Sequence, residues 1–124
     1  SQYAAVAALE GSQQCVADML AEFAKRREFV RGRIASIDGL SCPDMAGAFY
    51  AFFNVKAHLG KTYGDRKIDN SADWCLALLE QQQVATVMGS AFGAEGYVRA
   101  SFATSMDALE AGFDRIETFV AGAK

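Results

Sequence analysis

The chain has 124 residues, the size of one domain, and at 52% hydrophobic and 22% charged it has the make-up of a globular protein with its own core. A formal net charge of −3 argues against broad electrostatic binding to nucleic acid or acidic membranes, and no apolar run approaches the ~20 residues that span a bilayer. Cys15, Cys42 and Cys75 are odd in number, far apart and unlike CxxC metal spacing, so they are expected to be reduced, buried thiols in a cytoplasmic setting.

The opening SQYAAVAALEG is alanine-rich and reads as a helix closed by Gly11. A second helix follows, capped by Ser12 and stopped by Gly39 after Ile37, about 25 residues or ~37 Å long. Val16, Leu20, Phe23, Val30, Ile34 and Ile37 recur on one stripe of it, with Met19 beside them. Lys25, Arg26, Arg27, Arg31 and Arg33 are interleaved with Glu22 and Glu28, as on a solvated face.

GAFYAFFNV, residues 47–55, is aromatic and free of helix signals, so it reads as a strand covered on both faces. KAHLGKTYGDRKIDN is a long polar loop that holds the single histidine, His58, expected at the surface; one histidine excludes a metal site built on a histidine pair. Asn70 or Ser71 caps an amphipathic helix carrying Trp74, Leu78 and Leu79, and VATVM is a short strand. GSAFGAEG is a glycine-rich connection, YVRASFA is the returning strand, and Thr104 or Ser105 caps a last helix with Met106, Leu109, Phe113, Ile116 and Val120 on its apolar stripe. The order predicts an α+β fold of two layers, a small mixed sheet covered by helices, with a short extra strand at LSC and a long N-terminal linking helix.

Few residues carry chemistry. GSAFGAEG lacks the lysine of a phosphate-binding loop and leads into a strand, Ser90 has no histidine base beside it, and the pairs Asp65/Asp69 and Glu110/Asp114 suit solvated faces. Arg99 differs: its sequence neighbours are apolar or small, and a guanidinium is costly to bury unpaired. Either a carboxylate such as Glu95 or Asp107 reaches it from elsewhere in the fold, or it is an anion receptor whose fork accepts a carboxylate bidentately. Residue chemistry alone supports both.

Three blocks, GLSCPDMAGAFYAFFNV, VATVMGSAFGAEGYVRASFA and ALEAGFDRI, resemble in order the C-terminal part of fold-type-I, class-I aminotransferases, most of all bacterial aspartate aminotransferases. QYAAVAALEG and the long basic helix resemble the stretch linking that family's large and small domains. The resemblance implies that residues 1–38 are linking helices and that 39–124 are the small domain. It implies that Arg99 grips the substrate α-carboxylate, with Phe92 close to the same cleft, and that the full-length parent uses pyridoxal phosphate to move an amino group between an L-amino acid and a 2-oxo acid. The family's Schiff-base lysine motif matches none of Lys25, Lys56, Lys61, Lys67 or Lys124, so the chain alone is expected to bind no cofactor and to be inactive.

A C-terminal portion separated from its large domain is expected to self-associate through the apolar surface thereby exposed. The alternative is a stand-alone, non-catalytic binding module that reuses the small-domain fold. Met45, Phe53 and Met88 stand where the family often has proline, and are expected to add apolar surface and loosen the nearby loops.

Overall fold

The computed structural model describes all 124 residues. Two helices open the chain, α1 (Gln2–Glu10) and α2 (Gln14–Ser36). Strand β1 (Tyr50–Asn54), a 3-10 turn (Lys56–His58), the hairpin strands β2 (Thr62–Tyr63) and β3 (Arg66–Lys67) and helix α3 (Ser71–Gln82) follow. Strand β4 (Val87–Met88), a second 3-10 turn (Gly89–Phe92), strand β5 (Tyr97–Ser101) and helix α4 (Met106–Ala121) complete the chain. No helix is long and apolar enough to cross a membrane.

The caps follow side-chain chemistry. Asn70 accepts the Asp73 amide at the start of α3, and Ser105 accepts the Ala108 amide at the start of α4. For α2 the cap position falls on Gln13 rather than Ser12, whose hydroxyl accepts the Gln14 amide at 3.2 Å. The predicted LSC strand is a single bridge, Ser41 to Asn54.

The main sheet has the order β1-β5-β4, and the expectation of a mixed sheet resolves into antiparallel pairing along both ladders. The short connection from β4 to β5 turns the chain straight back, which dictates antiparallel pairing there. One face of the sheet is covered and the other open. Ala51, Phe53 and Val98 point inward to Trp74 and Leu78 of α3, Phe113, Ile116 and Phe119 of α4, and Val30 and Ile34 of α2. Trp74 anchors this core, 6.0 Å from the Phe53 ring and 5.5 Å from the Phe119 ring. Each such side chain contributes about 1.5–3 kcal/mol by leaving water.

Several expectations are corrected. The apolar stripe of α2 is used from Phe23 onward: Phe23 packs against the core beside Phe102, Val30, Ile34 and Ile37 are buried, and Val16, Met19 and Leu20 are exposed. β1 is covered on one face, not two, and Phe49 lies outside it. Cys15 is exposed; only Cys75 is fully buried, and all three thiols are free. His58 is buried at 1% exposure because both ring nitrogens find partners within the fold. Met45 and Phe53 join the core, so of the three residues in proline positions only Met88 adds apolar surface.

Candidate functional site

β5 is the central strand, and its alternation decides what Arg99 does. Val98 points into the core, so Tyr97 and Arg99 point to the open face, where Arg99 lies between Phe52 of β1 and Val87 of β4. Arg99 is therefore half-buried on a sheet face rather than enclosed in a strand covered on both sides.

Its guanidinium is held by rings. The Arg99 Cζ lies 4.3 Å from the centroid of Tyr50 and 4.5 Å from that of Phe92. Such contacts are worth about 0.5–2 kcal/mol each, and they orient the plane of the guanidinium without using its N–H donors. No carboxylate pairs with Arg99, and its side chain makes no hydrogen bond within the chain. Neither carboxylate considered as a structural partner takes that part. Glu95 accepts the amides of Ser71 at 2.6 Å and Gly96 at 2.8 Å, and these bonds hold its carboxyl below the usual range. Asp107 lies in the first turn of α4 and forms no ion pair. Arg33 bridges α2 to Asp114 and Glu117 of α4, Arg31 pairs with Glu28, and Arg66 pairs with Glu80, whereas Arg26, over the Phe23 ring, and Arg115, which donates to the Gln82 carbonyl, also lack a carboxylate but lie away from the open sheet face.

The glycine-rich connection delivers Phe92. The 3-10 turn Gly89–Phe92 ends at Gly93, whose φ of +72° suits glycine. At Gly89 a Cβ would lie 2.3 Å from the Ala94 carbonyl oxygen and 2.5 Å from that of Tyr97, so the chain can close there only on glycine. The turn leaves Phe92 48% exposed, edge-on to Phe52 at 6.1 Å, and Phe52 stacks on Tyr97 at 5.4 Å. Lys56 completes the layer. Its stem crosses Gly96, where a Cβ would meet Lys56 Cγ at 2.4 Å, and its Nζ lies 5.0 Å from the Tyr97 centroid.

The open face thus brings Arg99 and Phe92 together as the sequence suggests, and adds Tyr50, Phe52, Tyr97 and Lys56, which sequence reasoning missed. The signal was the two-residue spacing of Tyr50 and Phe52, readable only once β1 is known to have one open face. Chemically the arrangement is an oriented guanidinium with free donors on an aromatic floor, suited to one planar carboxylate. The largest cavity, about 490 Å³ beside Arg31, Leu40, Cys42 and Asp44, shares no residue with it.

Comparison with known proteins identifies the family and the fold. The family described as aminotransferase class I and II matches residues 1–116. The chain is 43% identical over 122 residues to an aspartate/prephenate aminotransferase of Nitrosomonas europaea, covering 97% of this chain and 31% of that protein. It is 41% identical to an aspartate aminotransferase of Geobacillus stearothermophilus, covering 97% of this chain and 30% of the relative. Among solved structures, the aspartate aminotransferase of Rhizobium meliloti superposes with a TM-score of 0.95 at 37% identity, over 99% of this chain and 31% of that one. An alanine aminotransferase of Pyrococcus furiosus superposes at 0.86 with 30% identity, over 97% of this chain and 29% of its own. The chain thus spans about a third of the length of these relatives. With the family's blocks, fold and order all present, the chain belongs to the class I and II aminotransferases.

Proposed function

We propose that this chain supplies the substrate-carboxylate grip of an aspartate-aminotransferase-like transaminase, with Arg99 binding the α-carboxylate of an amino acid or 2-oxo acid. The observation that carries the reading is the guanidinium left without a counter-ion between Tyr50 and Phe92. A bidentate ion pair there would fix the substrate's position and orientation, a contribution separate from proton transfer. Phe92 serves as the ring that keeps the fork aimed. In this reading residues 1–38 link to a large domain and 39–124 form the small domain.

The residues of this chain do not by themselves fit pyridoxal phosphate. Lys25 and Lys67 are ion-paired with Glu22 and Asp69 at the surface, Lys56 lies over Tyr97, and no lysine lines any cavity. In this reading the amino-transfer chemistry belongs to the rest of a full-length parent, and the isolated chain is expected to be inert. The donor stays unassigned, since an α-carboxylate is common to all amino acids.

The test exchanges this chain for the corresponding third of the Rhizobium meliloti aspartate aminotransferase and measures steady-state transamination with and without Arg99→Lys. The expected result is an active chimera in which Arg99→Lys lowers kcat/KM about 10- to 100-fold, the loss of a bidentate charge-assisted pair. Unchanged kinetics would remove Arg99 from the site. In parallel, borohydride reduction of the isolated chain with pyridoxal phosphate should leave no single-lysine adduct by mass, and a stoichiometric adduct would contradict inertness.

A further inference from the structure

His58 is buried at 1% exposure in the turn Lys56–His58. Its Nδ1 meets the Tyr63 hydroxyl, and its Nε2 lies 3.1 Å from the Asp38 carbonyl oxygen. A carbonyl can only accept, so Nε2 carries the proton, and Nδ1 is left to accept from the Tyr63 O–H. The ring is thereby held neutral, in one tautomer, with both nitrogens satisfied. Gly39 makes room for it: at φ +73° a Cβ there would fall 2.6 Å from His58 Nε2.

Two separate pieces of chain meet at this ring, and a third pairs with one of them. Asp38 lies at the exit of α2, just before the Ser41–Asn54 bridge that docks the chain on β1. Tyr63 lies in the β2–β3 hairpin, its ring stacked on Phe119 of α4 at 4.3 Å and its carbonyl accepting from Gln81 of α3 at 2.9 Å. The C-terminal residues pair with the same strand, Thr62 and Lys124 exchanging backbone hydrogen bonds at 3.0 Å each.

The geometry points to a proton-operated latch: protonation of His58 releases the β2–β3 hairpin and the Ala123–Lys124 tail from the exit of α2, while the α2–α4–sheet core stays folded. A second ring proton turns Nδ1 into a donor. The Tyr63 hydroxyl must then rotate to accept, and its own proton is left without an acceptor in a dry site. The new charge is also buried. Of the groups that face the ring, Asp38 at the α2 exit favours the proton and Lys61 on the ring's own segment opposes it. The hairpin presents Tyr63, whose carbonyl accepts from uncharged Gln81 of α3 and whose ring stacks on apolar Phe119 of α4. Burial outweighs the help from Asp38 and moves the titration below the usual 6.5. The folded state therefore holds fewer protons than the unfolded one through this window. The latch is complete above about pH 6.5 and is lost as the pH falls through the folded value.

The test follows amide exchange and the His58 ring resonances of the full chain between pH 8 and 4.5, with rates corrected for intrinsic exchange. The amides of Thr62, Ile68 and Lys124 should lose at least tenfold in protection as the ring titrates, while the β1–β5 ladder keeps its own. Tyr63→Phe preserves the stack on Phe119 but removes the bond to Nδ1, so it should raise the ring titration midpoint and leave the hairpin weakly protected already at pH 8. Hairpin and tail protection that is flat across the His58 titration would overturn the latch. So would loss in step with the β1–β5 ladder, or a Tyr63→Phe variant whose titration midpoint and hairpin protection match those of the unaltered chain.

Discussion

The Arg99 guanidinium carbon sits 4.5 Å from the centre of the Phe92 ring, and the two residues reach this contact from opposite ends of a tight turn. Tyr50 closes the other side at 4.3 Å. The planar group is held from both sides while its donors stay available. Phe92 is half-exposed, so its contribution to the core is small and its contribution to aim is measurable. In the active chimera, Phe92→Leu should raise KM for the amino acid about 3- to 10-fold, the equivalent of one partly exposed cation–π contact. kcat should change less, and unfolding should stay within about 0.5 kcal/mol of the parent. A KM unaltered by Phe92→Leu would show that Tyr50 and the strand alone orient the fork.

The turn beneath that contact is sensitive at Gly89, whereas Gly47, in the segment before β1, is tolerant. Gly89→Ala would push a methyl group to 2.3 Å from a backbone carbonyl oxygen, with no flexible side chain able to give way. Urea unfolding should show a loss of about 2–3 kcal/mol, in the range of overpacked positions. Gly47→Ala meets nothing within 4 Å and has no positive φ, so its midpoint should stay within experimental error of the parent or rise. Equal effects at the two positions would contradict the packing around Gly89.

Sequence patterning made the four helices and both long strands legible: α1 through its alanine-rich run closed by Gly11, the other helices through a 3.6-residue stripe, and the strands through runs of apolar and aromatic residues. The β2–β3 hairpin was not legible: two-residue strands are too short to show a period, and the segment's polarity reads as loop. His58 was misplaced for the same reason. Its burial depends on a hydroxyl five residues on and a carbonyl twenty residues back, and neither leaves a local trace. Arg99 stood out because a cation among apolar neighbours is anomalous locally, whereas Tyr50 and Phe52 looked like ordinary core until one face of the sheet proved open. Lys56 could not be found that way, since its place over Tyr97 depends on the bare backbone of Gly96.

Tyr63 supplies a test at alkaline pH. Burial pushes its phenol from 10.0 up to about 12, because ionisation would place a charge in the core. For an acid whose folded value is raised, the native state holds the proton more tightly. Stability from this group is present below pH 10 and is lost as the pH rises through about 12. Ultraviolet difference titration should show a late phenolate step as the pH approaches about 12, and Tyr63→Phe should abolish it. The absence of that late step in the folded chain would mean that water reaches this hydroxyl.

The apolar surface of α1 and of the first half of α2 leads to the last expectation. Tyr3 is 93% exposed, Leu9 82% and Leu20 69%, and α1 has no buried residue at all. An amphipathic helix in water is marginal at nine residues, so α1 gains little from propensity and needs a surface to pack on. Large apolar side chains on two successive helices exceed the scattered exposure normal for a monomer, and association removes them from water at about 25 cal/mol per Å². Sedimentation of the isolated chain should therefore give a mass that rises with concentration. The triple variant Tyr3→Ser, Leu9→Ser, Leu20→Ser should return it to a monomer with the β1–β5 sheet unchanged by circular dichroism. If the parent chain stays monomeric up to high concentration, α1 is held by nothing, and its amides should then exchange as fast as those of an unfolded peptide.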